Sequence, residues 1–318
     1  MSDLILHHYP TSPFSEKVRL IFGYKKLAWK SVIIPVTLPK PDAVALTGGY
    51  RKTPFLQVGA DIYCDTALIC DVLEHRQPTP TLYPEGHKGL ARILAQWADE
   101  KLFWASMAYN FSPKGAAQMF AGMSTGGPEQ WGPIGKAFGE DRAKMRVAVP
   151  RISPGDATAA YKSYLRRLAN MLDGQCFLLG DEPCIADFSA YHPLWFTRYC
   201  TSVMASIFDA TPNVLAWMDH MAALGQGSME KFNAADAIAL AAASTPVALA
   251  DEPFQDEHGI PLGSLVTLAG EAFGPEPTTG ELIAATRTHY TLRRTDERAG
   301  TLHVHFPRIG YVLKKVES

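Results

Sequence analysis

The chain has 318 residues, 47% hydrophobic and 19% charged, which is an ordinary globular composition in a chain long enough for more than one domain. Its net charge of −2 provides no overall field that would attract nucleic acid or a membrane surface. Five cysteines without a CxxC pair argue against a disulfide framework and a zinc site. No apolar run approaches the ~18 residues of a membrane span, and the N-terminus does not resemble a signal peptide. We therefore expect a cytoplasmic protein with neither nucleic acid nor a membrane as a partner.

The first 78 residues alternate between strand and helix patterns. Apolar spacing predicts strand, helix, strand, helix, two strands and a helix, at 4–9, 14–26, 31–36, 41–46, 53–64 and 66–76. A βαβ unit followed by a hairpin predicts a four-stranded mixed sheet with helices on both faces, which makes residues 1–78 an α/β domain. The Pro- and Thr-rich stretch 77–86 indicates a linker.

Helical patterns dominate the next part of the chain and predict an all-α domain over residues 86–245. The candidate helices lie at 87–111, 156–174, 186–200, 213–225 and 234–243. An interior proline, Pro193, predicts a kink in the third of them. The pattern over 112–153, which contains several Gly and Pro residues, predicts no particular element.

Strand patterns return after residue 246 and predict a small antiparallel sheet or barrel over 246–318. The candidate strands lie at 264–270, 280–296, 301–306 and 310–316, separated by Gly and Pro turns. His303 and His305 share one face of a strand, so they form either half of a metal site or, as is more common, a structural pair. We favour the structural interpretation and expect no metal.

The stretch YPTSPFSEKVR, residues 9–19, places Ser12 at the start of the first predicted helix. Unpaired backbone N–H groups and the positive end of the helix dipole stabilise an anion at such a position. A serine is too weakly acidic to be the nucleophile itself. Ser12 is therefore either an N-cap or a hydrogen-bond donor to the thiolate of a bound ligand.

Three motifs, in this order and spacing, resemble the soluble glutathione transferases. They are SPFSEKVRLIF (12–22), RKTPFLQVGADIYCDTALICDVLE (51–74) and EPCIADFSAYHPLW (182–195), and the first is closest to the omega and tau classes. The resemblance covers residues 4 to about 225 and nothing in 246–318. It implies that residues 1–78 form a thioredoxin-like glutathione-binding domain and that 86–245 form the helical domain of that family.

The resemblance also implies one catalytic position and a set of glutathione-binding positions. Ser12 is the catalytic position, as in the serine-using classes, where the hydroxyl donates a hydrogen bond to the glutathione thiolate. Tyr9 and Thr11 stay open as alternatives for that hydrogen bond. The implied binding positions are Phe14, Lys40, Lys52, Thr53, Pro54, Asp65 and Thr66.

Several of these positions suit a particular part of glutathione. In the family, the proline corresponding to Pro54 is cis, and the residue before it presents its backbone to the cysteinyl group. Asp65 and Thr66 open a helix and suit the γ-glutamyl ammonium and carboxylate, although Asp65 also fits a simple N-cap. Lys52 suits the glycyl carboxylate, and Lys40 is a weaker candidate for the same contact.

Cys184 departs from the pattern of the family. It stands where the helical domain usually carries the Ser or Thr of a capping box, whose other member, Asp187, is present. Because Cys is a poor cap, we expect Cys184→Ser to stabilise the protein slightly.

The function implied is that of a glutathione transferase with glutathione as cosubstrate. Ser12 and the helix dipole lower the pKa of the glutathione thiol, and the thiolate attacks an electrophilic, hydrophobic small molecule in a cleft between the domains of a homodimer. One alternative is a glutathione-dependent isomerase, dehalogenase or reductase on the same scaffold. Another is a non-catalytic glutathione-binding protein whose region 246–318 binds a partner.

Overall fold

The computed structural model describes residues 2–124, 127–249 and 251–317. Its strands are β1 (Ile5–His8), β2 (Ala28–Ile33), β3 (Phe55–Val58), β4 (Asp61–Cys64), β5 (Ser228–Lys231), β6 (Leu265–Gly270), β7 (Thr278–Ala285), β8 (His289–Asp296), β9 (Gly300–Pro307) and β10 (Tyr311–Lys315). Its α-helices are α1 (Pro13–Tyr24), α2 (Pro41–Thr47), α3 (Thr66–Arg76), α4 (Lys88–Trp97), α5 (Phe103–Asn110), α6 (Pro113–Met123), α7 (Trp131–Met145), α8 (Pro154–Met171), α9 (Ile185–Trp195), α10 (Pro212–Ala223) and α11 (Ala234–Ala242).

Three helices begin with the same Ser-Pro pair, and the pair explains where they start. The side chains of Ser12, Ser112 and Ser153 each accept a hydrogen bond from a backbone N–H in the first turn of α1, α6 and α8. The following proline stands at the first helical position, where no backbone N–H is needed. The interpretation of Ser12 as an N-cap is therefore confirmed, which leaves open what else its hydroxyl does.

The thioredoxin-like sheet is present as predicted and continues on both sides. β1 pairs in parallel with β2 and antiparallel with β3, and β3 pairs antiparallel with β4, which gives the four-stranded mixed sheet. β5 adds to it in parallel beside β2, and β9 adds in parallel beside β4. The complete order is β10-β6-β7-β8-β9-β4-β3-β1-β2-β5.

The C-terminal strands form the predicted antiparallel unit. β6 to β9 pair antiparallel in sequence order, and β10 returns to pair with β6. Because β10 follows β9 after a short turn at 308–310 yet pairs with β6, this part of the sheet curls back on itself. The segment 280–296, which the pattern predicted as one strand, consists of β7 and β8 with a turn at 286–288 between them.

Two apolar cores lie on opposite faces of the sheet. One packs α1 and α3 between the sheet and the helical domain, and includes Phe22, Leu73 and Trp217. The other packs α2 and α11 against the opposite face and extends without a break into β6–β10, with Leu46 and Val304 among its members. The C-terminal strands therefore share a core with the N-terminal sheet.

The helical domain contains more helix than the sequence pattern predicted. The unassigned stretch 112–153 carries α6 and α7. A π-helical turn, Ala98–Leu102, links α4 to α5, and a second one, Phe196–Cys200, follows α9 after Pro193. None of the helices in the described part of the chain is long and apolar enough to cross a bilayer.

Candidate functional site

Strand register brings three of the predicted motifs to one end of the sheet. His7 near the end of β1 lies opposite Phe55 at the start of β3, and Phe55 lies opposite Cys64 at the end of β4. The loop to Ser12, the Thr53-Pro54 pair and Asp65 directly adjoin these three positions. Residues far apart in sequence therefore meet because antiparallel neighbours start and end at the same edge.

Ser12 lies at the N-terminus of α1, where its side-chain oxygen accepts a hydrogen bond of 3.2 Å from the N–H of Ser15. That bond uses a lone pair of the hydroxyl, so the hydroxyl proton can still be donated to an anion. Ser12 is 2% exposed. The orientation agrees with both interpretations made from the sequence, because a capping serine can donate its proton while it accepts.

Thr53 and Pro54 are joined by a cis peptide bond, as the resemblance implied. The side chain of Lys40 lies beside them, since its Nζ donates to the carbonyl of Arg51 at 3.2 Å and to the Thr53 hydroxyl at 3.4 Å. Burial, followed by the nearby charge of Arg142, lowers the pKa of Lys40 to about 8. Lys40, the weaker candidate from sequence, is thus in direct contact with the cis-proline loop.

Asp65 and Thr66 form the start of α3. Asp65 has a φ of 79° and caps the helix through a 3.0 Å hydrogen bond from the N–H of Ala67 to its Oδ1. Its own N–H donates to the hydroxyl of Tyr50 at 3.1 Å. The Thr66 hydroxyl accepts from Lys17 Nζ at 3.3 Å, which leaves its proton available to a carboxylate. The helix start therefore offers donors to an anion and one carboxylate to a cation.

A buried ionic network lies beneath this helix start, and the sequence analysis did not identify it. Lys17 Nζ lies 2.7 Å from Asp99, whose other oxygen lies 2.9 Å from His192 Nε2. Although burial acts in the opposite direction for each group, their mutual attraction raises the pKa of Lys17 and lowers that of Asp99. One signal was available, because Lys17 falls on the apolar face of α1, three residues after Phe14 and four before Ile21.

Lys52 lies beside Asp65, with its Nζ 3.8 Å from Oδ2. The same carboxylate oxygen accepts a 3.0 Å hydrogen bond from the hydroxyl of Tyr311, on β10, and Lys52 Nζ lies 4.4 Å from the centre of that ring. Burial lowers the pKa of the Lys52 ammonium, against the opposing effect of Asp65. The sequence analysis did not connect Tyr311 with this site.

Phe14 and Tyr9 point toward the helical domain. The ring of Phe14 lies 4.7 Å from Phe103 and 4.4 Å from His192. The hydroxyl of Tyr9 accepts a 3.4 Å hydrogen bond from Arg142 on α7. Thr11 is half-buried in the loop between them. These contacts leave Ser12 as the one of the three candidate hydroxyls that also caps α1.

The buried cysteines are unsuited to act as thiolates. Burial raises the pKa of Cys70 and of Cys184 to about 12, and that of Cys64 well above its ordinary value. His303 and His305 do share a face, but both approach Asp61, at 3.8 Å and 2.9 Å. Over residues 2–124, 127–249 and 251–317, no group of three or more His, Cys, Asp or Glu side chains is arranged to hold a metal ion.

A cavity of about 260 Å³ adjoins the helical side of the site. Phe103, which contacts Phe14, precedes Trp104, and the Trp104 ring lies 5.1 Å from Phe273 and 5.0 Å from the Arg146 guanidinium. The cavity is lined by Trp104, Ala108, Arg146, Pro150, Arg151 and Ile152.

Comparison with known proteins identifies the family of both halves of the chain. The profile described as "Glutathione S-transferase, N-terminal domain" matches residues 6–81, and "Glutathione S-transferase, C-terminal domain" matches residues 137–220. The comparison with curated proteins gave no match.

Solved structures extend this similarity to the whole chain. A GST-like protein from Pseudomonas syringae is 40% identical, with a TM-score of 0.82, over 99% of this chain and 100% of its own. The beta-etherase LigF from Sphingobium sp. strain SYK-6 is 18% identical, with a TM-score of 0.52, over 70% of this chain and 96% of its own, and it shares the fold. The resemblance stated from the sequence is confirmed: the chain belongs to the glutathione S-transferase family and carries an additional C-terminal β-rich region.

Proposed function

We propose that the protein is a glutathione transferase in which Ser12 activates the thiol of bound glutathione. The observation that carries the proposal is the hydroxyl of Ser12 at the N-terminus of α1, which accepts from Ser15 N–H and keeps its proton for an anion. A thiolate at this position gains that hydrogen bond and the positive end of the helix dipole, so its pKa falls toward neutral pH.

The remaining glutathione contacts follow from the groups around Ser12. The Thr53 backbone, turned outward by the cis bond to Pro54, receives the cysteinyl group. Asp65 and Thr66 receive the γ-glutamyl ammonium and carboxylate, and Lys40 and Lys52 are the cations available to the glycyl carboxylate. Phe14 supports this arrangement by packing against the helical domain.

The proposed reaction is nucleophilic substitution by the bound thiolate. With an aryl halide, the sulfur forms a C–S bond to the ring carbon, the C–halogen bond breaks, and halide leaves, while the thiol proton has gone to solvent. The cavity beside Trp104 is the proposed location of the electrophile, since ligand pockets favour interfaces between domains.

Other reactions of a bound thiol remain outcomes of the test. A disulfide-reducing cycle through the protein's own thiols is disfavoured, because position 12 is a serine and the buried cysteines have raised pKa values. Isomerisation, dehalogenation and cleavage of an aryl ether all begin with the same thiolate, and the etherase with a similar fold makes an aryl ether a useful substrate in the panel.

The experiment measures glutathione binding by calorimetry and then conjugation of an aryl halide by wild type and Ser12→Ala. A hydrogen bond to an ionised group contributes about 1.5–3 kcal/mol, so kcat/KM should fall roughly ten- to hundredfold and the pH at half-maximal rate should rise.

Ser153→Ala is the matched control, because Ser153 caps α8 through a hydrogen bond of the same 3.2 Å length. Both variants should lose about 1 kcal/mol of stability, whereas only Ser12→Ala should lose turnover. Full turnover by Ser12→Ala would contradict the role of Ser12. Absence of glutathione binding by wild type would leave a non-catalytic protein with a C-terminal interaction region as the better hypothesis.

Assembly and location complete the proposal. We propose a homodimer, because the family commonly dimerises, and a cytoplasmic location. Light scattering after size-exclusion chromatography and cell fractionation test these two points.

A further inference from the structure

The C-terminal region of the chain contacts the candidate glutathione site through Tyr311. This tyrosine is 7% exposed, and its hydroxyl donates to Asp65 Oδ2 at 3.0 Å. Its ring lies beneath the ammonium of Lys52, at 4.4 Å. One side chain of β10 therefore touches both a proposed anion and a proposed cation of the site.

Further contacts from the same region fix the loop that leads to the cis-proline. Glu276 forms a 2.7 Å ion pair with Arg51, and the hydroxyl of Thr278 donates to the carbonyl of Thr47 at 2.9 Å. Gly274 approaches Lys52 so closely that a Cβ on the glycine would lie 2.9 Å from the Lys52 Cγ. The position of Tyr311 thus belongs to a continuous interface with residues 47–53.

We infer that Tyr311 is a positioning residue for the glutathione ammonium, because its hydroxyl keeps the Asp65 carboxylate from pairing with Lys52. The inference rests on the proposed function, in which Asp65 binds that ammonium. It gives the C-terminal region a part in ligand recognition, in addition to its part in the core.

The carboxylate geometry explains how Tyr311 acts. Oδ1 of Asp65 accepts from the N–H of Ala67, and Oδ2 accepts from Tyr311. A carboxylate has about four lone-pair positions, so acceptor capacity remains for a ligand ammonium. Lys52 Nζ, at 3.8 Å from Oδ2, is the cation nearest to this oxygen among those that pair with it. Without the hydroxyl, a shift of less than one ångström would bring Lys52 into direct hydrogen-bond contact and occupy the carboxylate.

Tyr311 can perform this role over the whole neutral range. Burial, followed by the charge of Asp65, raises the pKa of its hydroxyl well above the ordinary value, so the group stays a neutral donor. A neutral donor orients the carboxylate and leaves its charge in place, whereas a lysine would neutralise that charge.

The test compares two ligands in calorimetric titrations of the full-length protein. One is glutathione and the other is its deamino analogue, which lacks only the γ-glutamyl ammonium. In wild type, the ratio of the two dissociation constants measures recognition of the ammonium. Tyr311→Phe keeps the ring and removes the hydroxyl, and it should weaken glutathione about tenfold while changing the analogue much less.

A second substitution tests the mechanism by rescue. Lys52→Met in the Tyr311→Phe background removes the competing cation, so the preference for glutathione over the analogue should return, even if both ligands bind more weakly. Tyr290→Phe is the matched control, since Tyr290 is also a buried tyrosine of the C-terminal region, 3% exposed, and its ring packs on Arg308. Its ligand ratio should equal that of wild type.

The outcomes separate the inference from the proposed function. An unchanged ligand ratio in Tyr311→Phe overturns the inference, and so does an equal loss of both ligands with a lowered melting temperature, which would indicate a structural role only. A double variant that fails to recover the ratio overturns the role of Lys52 as competitor. If wild type binds no glutathione, the proposed function falls and the inference falls with it.

Discussion

Lys40 titrates closer to neutral pH than any other residue proposed to contact glutathione for which burial sets a value. It is 4% exposed, and burial followed by the charge of Arg142 lowers the pKa of its ammonium to about 8. Below pH 8 the side chain is charged and can pair with the glycyl carboxylate, whereas above that pH it becomes neutral. Affinity for glutathione should therefore fall as the pH rises through 8, by up to about tenfold per pH unit.

The measurement uses S-methylglutathione, whose blocked thiol cannot titrate, in calorimetric titrations between pH 6.5 and 9. Lys40→Arg is the comparison, because a guanidinium stays charged throughout this range. The variant should show a flatter profile than wild type, whatever its absolute affinity. Two parallel profiles would show that Lys40 is not the group that titrates.

Site residues differ in whether a sequence pattern can identify them. Ser12, Pro54 and Asp65 were predicted because each lies at the end of an element whose pattern spans a few neighbouring residues. Tyr311 and Asp65 are separated by 246 residues, and Lys17 and Asp99 by 82, so no local pattern connects them. Pairing of this kind follows from the packing of elements, which a single sequence does not specify.

At the scale of the helix, the start of α9 has an unusual cap. The N–H of Cys184 donates to Asp187 Oδ2 at 3.0 Å, and the Cys184 thiol lies 3.4 Å from the same oxygen. Sulfur accepts hydrogen bonds from the first turn poorly, and a serine oxygen accepts them well. Cys184→Ser should therefore raise the free energy of unfolding by about 0.5–1 kcal/mol, measured by urea denaturation.

Cys70→Ser is the control for this prediction. Cys70 is fully buried in the core on the helical side of the sheet, at 0% exposure, and lies inside α3 rather than at its start. The same chemical change should destabilise the protein there, because it buries a hydroxyl without a capping role. Equal effects of the two substitutions, or a less stable Cys184→Ser, would contradict the capping argument.

The helices α6 and α7 explain why the stretch 112–153 carried no predicted element. Gly and Pro interrupt its periodicity and lower its helix propensity, so local preference alone does not favour a helix. Aromatic packing provides what propensity lacks, since Phe138 on α7 lies 5.7 Å from Phe111 and 5.7 Å from Phe120 on α6. Tertiary contacts of this kind stabilise most helices in proteins.

Across the whole molecule, the sheet is the feature that joins the predicted regions. The boundaries 1–78, 86–245 and 246–318 stay a prediction, and two contacts are relevant to them. β5 pairs with β2, and α11 packs on α2 and β9, although both elements fall within the predicted helical domain. The predicted antiparallel unit formed as expected, but its parallel pairing with β4 required a long-range register that no turn signal specifies.

The shared core predicts that the C-terminal region is required for folding. Deleting 246–318 removes β9, which pairs with β4 through Ile62 opposite Val304, and exposes the backbone of β4 as a sheet edge. It also removes His305, which lies 2.9 Å from the buried Asp61, and uncovers the apolar face formed by α2 and α11. Loss of a pairing partner for a buried carboxylate alone destabilises a protein by about 3–5 kcal/mol, a large part of the usual total of about 5–15 kcal/mol. The truncated chain should therefore be insoluble or melt without cooperativity in circular dichroism, whereas deletion of only the last two residues, beyond β10, should leave the wild-type transition. A soluble truncated chain with that same transition would show that residues 1–245 fold alone, and that β6–β10 are an appendage of an already complete sheet.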